Sequence, residues 1–431
     1  MITFPTYETY RYSGLDWLGE IPEDWTVTRA KHVLKEVDER STTGDEELLS
    51  VSHLTGVTPR SEKNVNMFLA EDYSGSKRCQ ANDLVINTMW AWMGALGVSP
   101  VEGIVSPAYG VYRLYGEVYP RFLDSLLRTP QYIAEYIRRS TGIHSSRLRL
   151  YPDRFLDMPL LLPSIQEQKR IVDFLDRKTA EIDEAIAQKQ RLTELLQEQK
   201  AILINQAVTK GLNSDVAMKD SGIAWVGMIP EHWSIPEFKH CCTQIKDGLH
   251  TTPPKHDSGI KFISTQHVRN REIALSQATY ISEKDYKIGH PKINPEAGDV
   301  LVTLVGSIGF SAMIEDMHMP LSCTRHVGYV RCREEVLSPE YLSEYIESKV
   351  FKCFVEENVS RTAQPSIYLS SLADHLFPLP PLDEQRKILK RISISTEPLE
   401  KAVSITTSEI SVLYELKNIF ISEAVTGKIK V

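Results

Sequence analysis

Apolar side chains recur at alternating steps of three and four over two long stretches of this chain, and in short blocks elsewhere. From Ser164 to about Thr209, without glycine or proline, Val172, Leu175, Ile182, Ile186, Leu196, Leu203 and Ala207 lie on one seam of a coiled-coil heptad. Thr179, Lys189, Thr193 and Lys200 share that seam, so it is imperfect. At an offset of 217 positions, Leu389, Ile392, Leu399, Val403, Ile410, Leu413, Phe420 and Ala424 repeat the pattern. Each stretch predicts a helix of some 45 residues, spanning about 65 to 70 Å. An isolated heptad stretch reads most simply as a dimerisation coiled coil. Two matching seams in one chain suit an antiparallel intramolecular pair instead. Pro398 interrupts the second stretch: it lacks an N–H and crowds the preceding turn, which predicts a kink or a fresh helix start capped by Ser395 or Thr396.

The short blocks predict strands at Leu84 to Asn87, Gly110 to Leu114 and Phe155 to Leu162, with a helix from Phe122 to Ile137. Further on they predict strands at Lys261 to Ser264, Val300 to Val305, Gly328 to Arg331 and Leu376 to Leu379, and a helix from Glu340 to Phe354. This is a mixed, α+β pattern with long polar connections.

The chain also repeats itself. Ser13-Gly14-Leu15-Asp16-Trp17-Leu18-Gly19-Glu20-Ile21-Pro22-Glu23-Asp24-Trp25 returns 208 positions later as Ser221-Gly222-Ile223-Ala224-Trp225-Val226-Gly227-Met228-Ile229-Pro230-Glu231-His232-Trp233. Asn82-Asp83-Leu84-Val85-Ile86 returns as Gly298-Asp299-Val300-Leu301-Val302. Leu162-Pro163 with Glu167-Gln168 returns as Leu379-Pro380 with Glu384-Gln385. A period this long is a duplicated pair of globular unit and helix, not a solenoid. The predicted architecture is α+β, with two pseudo-twofold-related globular domains (1–162 and 213–379) separated by two long antiparallel coiled-coil helices (163–212 and 380–431).

Composition adds limits. The 431 residues are 42% hydrophobic and 25% charged, as in globular proteins. No apolar run reaches membrane-spanning length and the start lacks a signal-peptide layout, so a cytoplasmic protein with no membrane is expected. Six cysteines without a CxxC fit neither a disulfide framework nor a zinc ribbon, and read as reduced and structural. Lys+Arg 49 against Asp+Glu 57 leaves a net charge of -8, which by itself argues against nucleic acid.

Location changes that inference. Neither globular part is basic overall, with 17 basic and 21 acidic residues over 1–160 and 16 and 20 over 216–378, yet the basic residues cluster. Arg138, Arg139, Arg147 and Arg149, with His144, lie between Glu135 and Asp153 with no acid among them. Lys239 to Lys292 holds nine basic residues against five acids, with His250, His256, His267, Gln266 and Asn270 nearby. A solvated loop is the ordinary reading of one such cluster; one in each half suits phosphate neutralisation. Trp90 and Trp92, beside Met89 and Met93, are suited to stacking on bases, although such a group is more often core. Gly306-Ser307-Ile308-Gly309 lacks the Lys-Ser/Thr of a P-loop. The chain has no GxSxG, HExxH, zinc spacing or methyltransferase loop, so no catalytic residues and no metal are assigned.

The twice-written Gly-x-x-Trp-x-Gly-x-Ile-Pro-x-x-Trp, and the twice-written Leu-Pro followed by Glu-Gln, resemble the specificity subunit of type I restriction-modification systems. Gly248 with Thr251-Thr252-Pro253, and Val305-Gly306-Ser307-Ile308-Gly309, resemble segments of that family's target-recognition domains. The resemblance implies two domains that each read half of a split, asymmetric DNA sequence, with the helices as a ruler. It implies double-stranded DNA, two methyltransferase subunits for N6-adenine methylation and restriction (translocase/nuclease) subunits as partners. No cofactor is expected on this chain; S-adenosylmethionine belongs to the methyltransferase, ATP and Mg to the restriction subunits. Phosphate contacts are expected from Arg138, Arg139, Arg147, Arg149, Lys246, Lys255, Arg269 and Arg271. Base reading is expected, from loop position, of Trp92, Ser145, His250, Thr251, Gln266, Ser307, Arg325 and Gln364. The alternative is a non-catalytic coiled-coil interaction scaffold without DNA specificity.

Overall fold

The computed structural model describes residues 4–62, 72–142, 148–269, 271–289, 294–360 and 365–431. Two compact units emerge, Met1–Lys189 with Ser408–Val431, and Gln190–Thr407. Their boundaries fall inside the two long helices, Ile165–Lys210 and Leu382–Val425. Each unit therefore holds one globular part, the beginning of the helix that follows it, and the end of the other helix.

The repeated motifs build these junctions. Gly-x-x-Trp-x-Gly-x-Ile-Pro forms an antiparallel hairpin in each unit, Tyr10–Tyr12 with Glu20–Pro22 and Met218–Asp220 with Met228–Pro230. The closing tryptophans, Trp25 and Trp233, are each only 1% exposed. Against each lies a glycine in the left-handed region that ends a long helix: Gly427 (φ +73) in the first unit and Gly211 (φ +70) in the second. A Cβ on Gly427 would stand 2.5 Å from Pro22, and one on Gly211 would stand 3.2 Å from Trp233, so a side chain at either position would push the helix end off its hairpin.

Each unit centres on a four-stranded antiparallel sheet. In the first the order is Leu34–Glu36, Gly110–Leu114, Leu84–Ile86, Leu96–Val98; in the second it is Cys242–Asp247, Val327–Cys332, Val300–Thr303, Ser311–Met313. The repeated Asp explains its motif. Asp83 accepts from the Gln80 N–H at 2.8 Å and pairs in bidentate fashion with Arg113; Asp299 accepts from Glu296 N–H at 2.8 Å and pairs likewise with Arg331. Both carboxylates are buried, so the turn is locked to the central strand.

Several expected elements differ. The helix expected over 122–137 is two helices, Pro120–Leu127 and Pro130–Arg139, because Pro130 fixes a new first turn. The one expected over 340–354 divides into Pro339–Glu347 and Lys349–Asn358, where the Ser348 hydroxyl accepts from Phe351 N–H and caps the second. Phe155 belongs to a short helix, Pro152–Leu156, and the strand begins at Pro159. Leu376 and Leu379 make only isolated bridges.

No fresh start occurs at Pro398: one helix runs from Leu382 to Val425 with Pro398 inside it. Thr396, expected as a cap, is instead buried in the seam with Ile392. That burial holds the helix through the missing donor.

Seam residues alternate in burial at the heptad steps. In the first unit Val172, Leu175, Ile182 and Ile186 are buried in one core with Phe420, and Ile410 and Leu413 pack against it. Lys189 pairs with Glu409 and Lys417 with Asp183, each at 2.7 Å, so residue numbers fall along one helix as they rise along the other, the antiparallel arrangement. In the second unit Ile392 and Ile204 share a core with Leu389 at its edge, while Leu196, Leu203, Leu399 and Val403 are half-buried. There the polar seam residue Lys200 reaches Glu400 at 2.6 Å.

Candidate nucleic-acid interface

The sheet registers define a rim in each unit. In the second, Asp247 stands opposite Gly328, Thr303 opposite Val327 and Val302 opposite Ser311. The segments that follow Asp247, precede Val327 and link Thr303 to Ser311 thus gather at one end of the sheet. Backbone bonds tie them together: Leu249 N–H donates to Cys323 O, Arg325 N–H to Leu249 O, and Leu304 N–H to His326 O, all within 3.0 Å. Thr324 N–H donates to Ile263 O at 2.9 Å and brings in the Ser264–Gln266 segment.

His250, Thr251, Gln266, Ser307 and Arg325 are all exposed on these segments. His250 Nε2 lies 2.9 Å from Asp247 Oδ2, and Arg325 Nε lies 3.4 Å from His326 Nε2. Gly306 and Gly309, both at positive φ, shape the turn that carries Ser307. Lys246 and Lys255 are exposed along the same stretch of chain. The arrangement offers hydrogen-bond donors and acceptors with local positive charge, although the chain is acidic overall.

The other two arginines expected on phosphates here are engaged within the fold. The Arg269 guanidinium stacks 4.2 Å over Phe310 and donates to Thr265 O and Val268 O. Arg271 pairs with Glu344 and with Glu400, and its N–H donates to Glu347. Burial pushes the carboxyls of Glu344 and Glu347 up, and the Arg271 charge offsets part of that.

In the first unit the corresponding rim follows Glu36, precedes Gly110 and links Ile86 to Leu96. The link is the Asn87–Ala95 loop, and it carries the tryptophans. Trp90 is 50% exposed and Trp92 half-buried, their rings stacked at 6.1 Å between centroids and 16° between planes. The core reading therefore fails for Trp90, because the loop turns its ring outward from the sheet end. Leu150 N–H donates to Thr88 O at 2.9 Å, which sets exposed Arg149 beside this loop.

Arg138 and Arg139 are less available. Both pair with buried Glu135, at 2.6 and 2.5 Å. Burial opposes ionisation of Glu135, yet the two guanidinium groups hold its carboxyl below the usual range. Arg147, Ser145, Gln364, His144 and Asn270 lie outside the described residues.

Two structural residues were not singled out from sequence. Gln168 and Gln385 are fully buried at the helix starts, and the repeated Glu-Gln was their signal. Among the described residues no group of three or more His, Cys, Asp or Glu is placed to hold a metal ion, and no helix is long and apolar enough to cross a membrane.

Fold and rims together define a duplicated α+β protein with two differently equipped loop clusters on matching scaffolds. Residues 243–406, which include most of the second rim, match the type I restriction modification DNA specificity domain. Over part of its length the chain is similar to specificity subunits of type I restriction-modification systems. It is 25% identical over 244 residues to the type I restriction enzyme EcoBI specificity subunit of Escherichia coli, covering 55% of this chain and 51% of that one. It is 24% identical over 282 residues to the MjaVIII specificity subunit of Methanocaldococcus jannaschii, covering 64% and 63%. The matches thus span about half to five-eighths of those relatives. A solved structure described under complex assembly and conformational transition of the type I R-M system shares the fold with TM-score 0.65 at 16% identity, covering 94% of this chain and 98% of that chain.

Proposed function

We propose that this chain reads DNA sequence for a type I restriction-modification complex. Each rim takes one half of a bipartite, asymmetric, gapped duplex target, with 1–162 and 213–379 as the reading domains and 163–212 and 380–431 as the spacer helices. The observation that carries this is the contrast between scaffold and rim. Hairpins, Asp–Arg locks and buried glutamines are duplicated almost side chain for side chain, while the loops at the sheet ends differ: Met89, Trp90 and Trp92 in one, Ser307, His250 and Arg325 in the other. A shared frame with divergent tips suits two half-sites of different sequence. The net charge of -8 does not oppose it, because phosphate contacts need only local positive surface.

In this reading the chain does no chemistry. It recruits two methyltransferase subunits, which carry S-adenosylmethionine and methylate adenine at N6, and restriction subunits, which carry ATP and Mg and cleave. It works in the cytoplasm, where its DNA is.

The test is binding by the full chain with its methyltransferase over a salt series, together with mapping of methylated adenines in a genome that carries both. Salt-dependent binding and a split methylated motif are expected, with Arg325→Ala relaxing one position of it. Absence of salt-dependent duplex binding in the assembled complex would sink the proposal in favour of an interaction scaffold.

A further inference from the structure

Six tryptophans occur in the chain, and Trp90 is the exposed one. It does not sit on a slack loop. Asn87 N–H donates to Ala95 O, Trp90 N–H to Asn87 O, and Ala95 N–H to Trp90 O, all within 3.2 Å. The Asn87 amide donates to the Tyr109 hydroxyl at 3.0 Å and the Thr88 hydroxyl to Ala108 O at 2.9 Å. Behind the loop, Gly94 at φ +84 packs so closely on Ile133 that a Cβ would stand 3.0 Å from it. Trp92 donates its indole N–H to Met89 O at 3.0 Å, so its polar edge is already used and what it offers is a ring face. That face backs Trp90. Beyond Trp90 and the 40% exposed Met89 the apolar surface meets solvent.

A rigid loop that holds a half-exposed indole, braced from behind by a second indole, loses little conformational freedom when a flat partner stacks on it. Arg149 stands beside it through the Leu150–Thr88 bond. An aromatic face next to positive charge fits a nucleobase step, whose rings stack while its phosphates meet the guanidinium. At the equivalent place in the second unit the link from Thr303 to Ser311 carries the turn Gly306-Ser307-Ile308-Gly309 and one ring, Phe310, whose face is already covered by the Arg269 guanidinium at 4.2 Å.

We infer that the Trp90–Trp92 pair is a base-stacking element that engages an opened base step in the half-site read by the first unit, and that the second unit reads its half-site without one. This rests on the DNA-reading proposal above. The two half-sites are then bound by different physics: stacking and deformability dominate one, and polar groove contacts dominate the other.

The test uses the full chain labelled with 5-fluorotryptophan, its unlabelled methyltransferase and a duplex carrying the mapped methylation motif. The Trp90 resonance, assigned by its loss in Trp90→Phe, is expected to shift when the duplex is added to the complex. Trp90→Ala is expected to weaken duplex binding about 10- to 100-fold with the salt slope unchanged, and Trp90→Phe to stay within a few-fold of wild type. An unmoved resonance with unaltered affinity in Trp90→Ala, while salt-dependent binding persists, would overturn the stacking element and leave the DNA-reading proposal standing. A shift on adding methyltransferase before any DNA would assign the pair to a protein contact and overturn it also. No binding at all would overturn both.

Discussion

Gln168 and Gln385, 217 positions apart, make the same hydrogen bonds in two different units. Gln168 accepts from Tyr119 N–H at 2.7 Å and donates to Glu117 O and Pro163 O; Gln385 accepts from Ser338 N–H at 2.9 Å and donates to Val336 O and Pro380 O. Each glutamine, 0% exposed, ties the first turn of a long helix to the start of a helix in the globular part. One buried side chain thereby ties the first turn of each long helix to its own globular part.

Removing either amide strands three backbone groups in a dry site. Gln168→Ala or Gln385→Ala is expected to destabilise its unit by about 2 to 4 kcal/mol, since each unmet buried group costs about 1 to 3 and small rearrangements recover part. Urea unfolding followed in each variant checks this. A loss under 0.5 kcal/mol in both would show that the helix starts are held by apolar packing alone.

Pro398 gives a prediction of the opposite sign. Within a continuous helix it withholds one backbone donor, so Pro398→Ala is expected to raise thermal stability, by about 1 to 3 kcal/mol. If the melting temperature is unchanged or falls, the helix breaks at this point after all.

His375 is 3% exposed, and its Nε2 lies 2.8 Å from the Tyr345 hydroxyl inside a ring of Phe238, Phe351, Phe354 and Phe377. Burial lowers its pKa to about 3. The unfolded chain binds this proton from about pH 6.5 downward and the folded chain only near pH 3, so the stability from neutral His375 is intact above pH 6.5 and is lost on acidification between those values. The slope from this one group approaches about 1.4 kcal/mol per pH unit. His375→Phe is expected to abolish that slope while losing the Tyr345 bond. Chemical denaturation at pH 7, 6 and 5 separates the two effects; equal pH dependence in both proteins would refute the assignment.

The contrast between frame and tips also governs what the sequence discloses. Heptad spacing marks the buried faces of both long helices because burial there repeats every three or four residues, and duplication marks the Ile-Pro-x-x-Trp clamps because both halves need the same contact. Local punctuation was less visible. Pro130 and Ser348 divide helices whose apolar pattern runs on unbroken, and Pro398 does not divide one whose seam is buried at Ile392 and Thr396 just before it. Charge clustering was least informative about availability: Arg138 and Arg139 share Glu135, a residue counted as the border of their cluster, and Arg271 finds Glu344 at a sequence distance no window spans. By residue type Trp90 and Trp92 fit either stacking on bases or a place in the core, and only the loop's hydrogen bonds present Trp90 to solvent.

Two arginines that look alike in sequence should therefore behave differently. Arg149 is exposed beside the tryptophan loop, and Arg149→Ala is expected to reduce the slope of log affinity against log salt by about 1 while leaving stability unchanged. Arg271 sits on buried Glu344, 6% exposed, and on Glu400, which also holds Lys200. Its loss leaves a desolvated carboxylate without its partner, for an expected destabilisation of about 2 to 4 kcal/mol, discounted because the Arg271 side chain is 30% exposed. Burial already raises the Glu344 pKa, so in Arg271→Ala the carboxyl takes up a proton more readily, and the deficit should shrink as pH falls from 7 toward 5. Salt-titrated binding and urea unfolding of the two variants, side by side, decide the matter. Were Arg271→Ala to lower the salt slope with no change in stability, its ion pairs would be surface decoration and its place would be on the phosphate backbone.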